Sequence, residues 1–212
     1  GDSITLTASG IGVSGATLTQ GHAEELFLAQ TSDNSVYRLP ENLTPTAMTS
    51  ANHGSFNVAT GQRGLAIKDM SGATAPNTRD LYLYFVDTQN TDTLRGYHAV
   101  DSSAPVQVFA ATQVSGGQSF GSLYDAVLEP TSPVPQANPI NGCLLVSDSS
   151  NGSIYAIDTR TPSSGSPTVT LVASGFSDPR GLAFHNGKLY IADRGNDAII
   201  ELSPSPSASD CF

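Results

Sequence analysis

The sequence predicts an all-β fold, a β-propeller with four blades of four antiparallel strands each. Three observations support this prediction. A unit of short apolar strands and turns recurs four times along the 212 residues, and 20 Gly and 13 Pro interrupt the chain at short intervals. The N-terminal segment also repeats the pattern of a strand near the C-terminus. Short strands separated by turn residues at a regular spacing are typical of propeller blades.

The clearest unit occupies residues 179–202. Its sequence predicts strands over residues 181–184, 189–192 and 198–202. Asn186 and Gly187 lie between the first two strands, and both residue types accept a positive φ. This pair therefore predicts a tight hairpin.

The same unit recurs upstream. Residues 144–157 and 26–39 both match residues 189–202 without a gap, and residues 84–97 match with one inserted residue. Residues 63–67 resemble residues 180–184. The copies follow each other at roughly 45 to 60 residues, a spacing expected for propeller blades.

Outer strands complete the predicted blades. Residues 169–176 and 105–110 are candidates, and residues 47–51 are a weaker one. Residues 4–11 match residues 169–176 almost position for position but have no preceding blade. We therefore expect them to pair with residues 198–202 and close the ring, which removes an exposed sheet edge. The propeller is predicted to span residues 1–202, followed by a Ser/Pro-rich tail over residues 203–212.

The last unit resembles the NHL repeat and, more distantly, the SMP-30/gluconolactonase propellers. The resemblance rests on the pattern Pro-x-Gly-Leu-Ala, Leu-Tyr-Ile-Ala-Asp-x-x-Asn and Ile in residues 179–199. It implies the propeller fold but no particular function, because such folds carry many unrelated sites. Two features depart from the family. Four blades replace the usual six, and Ala198 and Ser153 stand where a basic residue is common.

Acidic residues recur at one position of the unit. Asp87, Asp148 and Asp193 end the second strand of three copies, and Asn90, Asn151 and Asn196 follow three residues later; Gln30 and Asp33 take these places in the first copy. One hypothesis is that these carboxylates bind a metal. Repetition in every blade instead favours a structural role, in which Asp accepts backbone N–H groups and Asn adopts the left-handed conformation.

Two arginines are the candidate ligand-binding residues. Arg63 and Arg180 occupy matching places at the start of inner strands, near the predicted channel mouth. They are candidates for binding a carboxylate or a sugar acid, since guanidinium groups recognise carboxylates well. The alternative is that each pairs with a neighbouring acidic residue.

No catalytic motif stands out. The four histidines lack metal-ligand spacing, and neither a Gly-x-Ser-x-Gly motif nor a phosphate-binding loop is present. The Glu/Asn/Asp metal site of the lactonases that this chain resembles has no assignable counterpart. We therefore expect a non-enzymatic protein without a cofactor.

Other features point outside the cell. The chain begins at Gly1, and Cys143 and Cys211 are candidates for a disulfide that tethers the tail, with two free thiols as the alternative. Asn42 and Asn151 lie in N-glycosylation sequons. The tail residues Ser203, Pro204, Ser205 and Pro206 resemble the Ser-Pro runs of hydroxyproline-rich cell-wall glycoproteins, although such runs also form plain linkers.

The net charge of −10 disfavours nucleic acid as a partner, and no apolar stretch is long enough to span a membrane. The leading hypothesis is a secreted, non-catalytic glycoprotein that docks to other copies of itself or to matrix components, as in a surface fibre. The alternatives are a soluble carbohydrate- or ligand-binding propeller and a metal-dependent, lactonase-type hydrolase.

Overall fold

The computed structural model describes residues 13–19, 25–30, 35–39, 46–47, 62–69, 80–88, 92–100, 106–112, 117–128, 143–159 and 167–203. These residues form 15 strands in four sheets, and every strand pair in them is antiparallel. The protein is therefore all-β. Among the described residues, no helix is long and apolar enough to cross a membrane.

The strands of each sheet are consecutive in the chain and adjacent in space. The first sheet contains β1 (Val13–Thr19), β2 (Glu25–Gln30), β3 (Ser35–Leu39) and β4 (Thr46–Ala47). The second contains β5 (Gln62–Asp69), β6 (Asp80–Asp87), β7 (Thr93–Val100) and β8 (Val106–Ala111). The third contains β9 (Leu123–Leu128), β10 (Cys143–Asp148), β11 (Ser153–Asp158) and β12 (Val169–Ser174). The fourth contains β13 (Pro179–His185), β14 (Lys188–Asp193) and β15 (Ala198–Leu202).

The hydrophobic core lies between neighbouring sheets. Leu144 and Val146 of β10 pack with Tyr84 and Val86 of the second sheet. Leu145, between them in sequence, joins a separate cluster with residues of the fourth sheet. Successive side chains of a strand point to opposite faces, so β10 is buried on both sides. Sheets that stack face to face in chain order are consistent with a propeller-like fold.

The fourth sheet has one open face. In β14, Leu189, Ile191 and Asp193 are buried while the alternate residues are partly exposed. Ile199 of β15 is 70% exposed, whereas Ile154, its counterpart in β11, is fully buried. We call the side of the sheet that carries Ile199 the open face.

Ring closure is not confirmed. The first strands β1, β5, β9 and β13 lie next to each other in that order, but among the described strands β13 does not pack against β1 in the same way. The predicted closing strand over residues 4–11 lies outside the described residues, as does the tail from residue 204. The blade number of four stays a prediction.

Several predicted elements are confirmed. The hairpin residues Asn186 and Gly187 have φ values of 50° and 74°, so both adopt the conformation that the Asn-Gly pair favours. The outer strands predicted near residues 105 and 169 are β8 and β12. Of the weak candidate at residues 47–51, Ala47 lies in the described strand Thr46–Ala47, and residues 48–51 lie outside the described residues. The first strands β1 and β9 were not predicted.

Candidate functional site

Two buried aspartates each lie at the end of the second strand of a sheet. Each connects the turn after that strand to the loop that precedes the first strand of the same sheet. The Asp148 carboxylate, at the end of β10, accepts the backbone N–H groups of Gly121 at 2.7 Å and Ser122 at 2.8 Å. It also accepts the N–H of Asn151 in the following turn at 3.1 Å. Because a buried carboxylate is costly without hydrogen bonds, these donors explain why Asp148 tolerates complete burial.

Asp193 repeats this arrangement in the fourth sheet. Its carboxylate accepts the N–H groups of Ser177 at 3.1 Å and Asp178 at 2.8 Å. Withdrawal from solvent raises the pKa of Asp193, but the hydrogen bonds from Asp178, Ser177, Asn196 and Gly195 outweigh it and lower the pKa overall. Asp193 therefore stays ionised.

The structural role predicted for Asp148 and Asp193 is confirmed, but the role predicted for the asparagines is wrong at Asn151 and Asn196; Asn90 lies outside the described residues. Asn151 and Asn196 each donate a side-chain N–H to the aspartate three residues before, at 3.0 Å and 2.7 Å. The left-handed conformation belongs to the next residue, Gly152 at φ 56° and Asp197 at φ 51°. The Asn side chain binds the carboxylate, so the backbone turns one residue later.

Asp87 ends the equivalent strand of the second sheet. It is 3% exposed and forms an ion pair with Arg95 Nε at 2.8 Å. Among the described residues, no three His, Cys, Asp or Glu side chains are placed to hold a metal ion. The aspartates lie in separate sheets, each with its own hydrogen-bond donors.

The pairing of strands places three side chains in equivalent positions. Gln62, Leu123 and Pro179 each pair with the aspartate that ends the neighbouring second strand. The next residues are therefore structural equivalents: Arg63 in β5, Tyr124 in β9 and Arg180 in β13. Since β5, β9 and β13 are neighbours, these three residues come together, and we call them the Arg–Tyr–Arg cluster.

Both arginines of the cluster stack on the tyrosine. The guanidinium carbon of Arg63 lies 4.9 Å from the centroid of the Tyr124 ring, and that of Arg180 lies 4.6 Å away. Arg180 Nη1 also donates a hydrogen bond to the Tyr124 hydroxyl at 3.2 Å. Cation–π attraction of this kind holds each guanidinium over the ring. The predicted pair of arginines is thus a cluster of three residues.

Arg180 also has an acidic partner. Its Nε donates to Asp178 Oδ1 at 3.1 Å, and Asp178 binds Arg194 Nε through the other carboxylate oxygen. The hydrogen bond from Arg180 is the main reason that the pKa of Asp178 is lowered, and the same bond raises the pKa of Arg180. The alternative predicted for these arginines, pairing with an acid, therefore holds for Arg180.

Arg63 has a different environment. Among the described residues, no carboxylate forms an ion pair with it. Asp92 interacts electrostatically with Arg63. Burial raises the pKa of Asp92, and the positive charge of Arg63 opposes that rise. Among the described residues, Arg63 therefore has fewer hydrogen-bonding partners than Arg180 has.

Sequence reasoning missed Tyr124 because its strand lacks the Arg-Gly-Leu pattern of β5 and β13. Leu123-Tyr124-Asp125-Ala126 replaces that pattern in β9. The signal that would have found it is the loop of Gly121 and Ser122, which precedes β9 as Ser177 and Asp178 precede β13.

Asp125 fills the position of the missing glycine and connects two first strands. Its carboxylate accepts the N–H of Leu182 in β13 at 2.9 Å and that of Ala126 at 2.9 Å. Burial raises the pKa of Asp125 in spite of these bonds. The carboxylate fixes the spacing of β9 and β13 directly below the Arg–Tyr–Arg cluster.

The predicted modification sites are only partly described. Cys143 is 6% exposed and is not a free thiol, but Cys211 lies outside the described residues, so that the disulfide stays a prediction. Asn151 is exposed, and its side-chain nitrogen donates to Asp148 and to the Ser119 carbonyl at 3.1 Å. Asn42, Pro204, Ser205 and Pro206 lie outside the described residues, and Ser203 is exposed.

No family model and no curated protein matches the sequence. Solved structures do match. A protein of unknown function from Bacteroides caccae is 10% identical, with a TM-score of 0.51, over 96% of this chain and 60% of that chain. The chain therefore spans 60% of the length of that protein. At this identity, the similarity shows a shared fold and nothing about activity.

Two further solved structures are less similar. An auxiliary nutrient binding protein from Bacteroides ovatus is 10% identical, with a TM-score of 0.49, over 93% of this chain and 60% of that chain. A chain of a nidogen/laminin complex is 11% identical, with a TM-score of 0.42, over 90% of this chain and 75% of that chain. The fold comparison rests on the Bacteroides caccae protein alone.

Proposed function

We propose that the chain is a non-catalytic, propeller-type binding module that holds a carboxylate-bearing ligand, such as a sugar acid, at the Arg–Tyr–Arg cluster. One observation carries the proposal: Arg63 and Arg180 both stack on Tyr124, within 4.9 Å and 4.6 Å of its ring centroid. Two cations are thereby held against one ring in a protein of net charge −10.

The stacking supports carboxylate binding for a geometric reason. A guanidinium has five N–H donors, so one held over an aromatic ring by its charge keeps those N–H groups that do not point at the ring. Those N–H groups match the two oxygens of a carboxylate. Arg63 is the better donor of the pair, since Asp178 already binds Arg180. Tyr124 fixes both guanidinium groups and thereby lowers the entropy lost on binding.

Titration with glucuronate tests the proposal, with glucose as the uncharged control ligand. We expect glucuronate to shift the NMR signals of the Arg63 and Arg180 side chains and glucose to leave them unchanged. Arg63→Gln is expected to weaken glucuronate binding about tenfold, the loss typical of a hydrogen bond to a charged group. The control variant Lys188→Gln removes one positive charge elsewhere and should bind as the native protein does. Equal binding by Arg63→Gln would contradict the proposal.

The blade type and the ring closure are also part of the proposal. We propose that the four sheets are NHL-like blades and that residues 4–11 complete the fourth one. The support is internal: β11 and β12 of the third sheet show how such a strand pairs, and residues 4–11 share most of the sequence of residues 169–176.

We further propose that the module acts outside the cell as a glycoprotein. Cys143 supports this setting, because it is buried and not a free thiol. The sequons at Asn42 and Asn151 are the expected N-glycan sites. Mass spectrometry of protein from its natural source measures both features, a Cys143–Cys211 peptide and glycan mass at either asparagine. Reduced cysteines and bare asparagines there would contradict this setting.

Self-association is a second candidate function, and the open face of the fourth sheet favours it. Ile199 is 70% exposed there, and Leu171 on the outer strand β12 is 56% exposed. A second copy that covered these side chains would remove apolar surface from water. Sedimentation of the protein at rising concentration should then show oligomers that Ile199→Glu disrupts. Sedimentation as a monomer at every concentration would rule this candidate out.

A further inference from the structure

The carboxylate of Asp178 lies beside the proposed ligand site. Its side chain bonds Arg180 at 3.1 Å and pairs with Arg194 as well. The backbone of Asp178 is fixed at both ends, because its N–H donates to Asp193 at 2.8 Å and its carbonyl accepts the N–H of Arg194 at 3.0 Å. These two bonds hold the backbone of residue 178 in place next to Arg180.

From this geometry we infer that Asp178 is a specificity-determining residue that limits the Arg–Tyr–Arg cluster to one ligand carboxylate. The inference rests on the proposed function of that cluster. Arg63 then holds the single carboxylate of a monocarboxylate ligand. Arg180 is already paired with Asp178, so the second carboxylate of a dicarboxylate ligand would have to share Arg180 with the Asp178 carboxylate.

Charge repulsion strengthens this selection. A second ligand carboxylate at Arg180 would lie beside the Asp178 carboxylate, which already accepts the Arg180 Nε–H at 3.1 Å. Two carboxylates that share one guanidinium repel each other. The Asp178 side chain is 15% exposed, so water screens this repulsion less than it would at a fully exposed site. The lowered pKa of Asp178 keeps it charged in mildly acidic solution.

The two arginines are close enough to each other for the probes to include a short diacid. Both guanidinium carbons lie near the Tyr124 centroid, so they are within about 10 Å of each other, the span of a stacked cation–aromatic–cation group. Glucarate carries carboxylates at both ends of a six-carbon chain, and glucuronate carries one. This pair of probes differs mainly in the second carboxylate.

The test compares both probes on the native protein and on Asp178→Asn, by calorimetric titration. Asparagine keeps the size of the side chain and the backbone bonds of residue 178. We expect the native protein to prefer glucuronate and Asp178→Asn to bind glucarate about fivefold more tightly than the native protein does, the gain typical of freeing a partly exposed ion pair. Binding of glucuronate should change less than twofold.

Glu201→Gln is the matched control, because it removes one negative charge whose partners, Lys188 and Tyr190, lie outside the cluster. It should leave the preference between the two probes unchanged. If Asp178→Asn binds glucuronate but gains nothing for glucarate, the inference is wrong while the proposed function stands. If the native protein binds neither probe, the proposed function itself fails.

Discussion

At the scale of residues, an aspartate at the end of the second strand has the same hydrogen-bonding role in the third and fourth sheets, although the residues around it differ. Asp148 and Asp193 both accept two consecutive backbone N–H groups from the loop before the first strand. In both sheets a backbone bond from the residue after the aspartate also joins this loop, from Ser149 to Ser122 and from Arg194 to Asp178. The aspartate is thus a connector that places the start of each first strand, and with it Tyr124 or Arg180.

A glycine and a serine occupy opposite positions at these two aspartates. The third sheet has Gly121 in the loop and Ser150 in the turn, and the fourth sheet has Ser177 in the loop and Gly195 in the turn. A Cβ atom at Gly121 would lie 2.8 Å from the Cβ of Ser150, and one at Gly195 would lie 2.6 Å from the Cβ of Ser177. By strand register, residues 121 and 177 are equivalent, as are residues 150 and 195. Each connector therefore has room for a single side chain at this contact.

Gly195→Ser should accordingly destabilise the protein by about 1–3 kcal/mol, the usual cost of overpacking. The double variant Ser177→Gly/Gly195→Ser copies the third sheet and should recover most of that loss. Urea unfolding of the two variants and of Ser177→Gly alone measures the effect. A double variant no more stable than Gly195→Ser would show that the two positions are not coupled.

At the scale of elements, a bulge lets neighbouring first strands approach closely. Gly64 in β5 has φ +49°, and a Cβ atom there would lie 2.5 Å from the Ala126 nitrogen of β9. The register of β5 shifts between Arg63 and Leu65 at this glycine. The bulge brings Arg63 over Tyr124, since bulges redirect the side chains around them.

Gly64→Ala should cost about 2–4 kcal/mol, because it combines left-handed strain with a backbone clash. Gly187→Ala is the matched control: its φ is +74°, but nothing lies within 4 Å of the added atom, so it carries the strain alone. Thermal and urea unfolding measure both. Equal losses for the two variants would mean that β5 and β9 are not closely packed at Gly64.

The sequence predicted the strands whose patterns repeat and missed those whose patterns do not. The hairpins ending at residues 39, 97, 157 and 202 share alternating apolar residues and were predicted. The first strands β1 and β9 carry Ser14-Gly15-Ala16 and Tyr124-Asp125-Ala126 in place of Arg-Gly-Leu. Their structure depends on pairing with β2 and β10, which is a non-local property. For the same reason Arg63 and Arg180 were found from sequence, whereas Tyr124 was not.

At the scale of the whole molecule, the first strands of the four sheets lie next to each other in chain order. Apolar packing of the same kind joins the second sheet to the third and the third sheet to the fourth. The local sequence specifies this packing between neighbouring sheets. It does not specify what packs on the fourth sheet, because the first sheet of the same chain and the first sheet of a second copy have the same sequence. Ring closure is therefore the part of the fold that the sequence predicts least directly.

The repeat assigns a register to the closing strand. Ile154 of β11 pairs with Ala173 of β12, and Tyr155 pairs with Leu171. Because residues 4–11 match residues 169–176, Ile199 should pair with Ala8. The double variant Ala8→Cys/Ile199→Cys is therefore expected to form a disulfide within one chain, detected by peptide mapping at low protein concentration.

Leu6→Cys/Ile199→Cys is the control, since Leu6 is expected opposite Ile200 and should cross-link poorly. A cross-link between two chains would instead indicate that a second copy supplies the strand. Failure of Ala8→Cys/Ile199→Cys to cross-link in either way would contradict the closing strand.

The central claim, that Arg63 and Arg180 stacked on Tyr124 form a carboxylate site, is tested most directly by a crystal structure of the protein bound to glucuronate. The account predicts both guanidinium groups on the Tyr124 ring and the ligand carboxylate within hydrogen-bonding distance of Arg63. A structure in which either arginine points away from Tyr124, or in which glucuronate binds at another place, would contradict it.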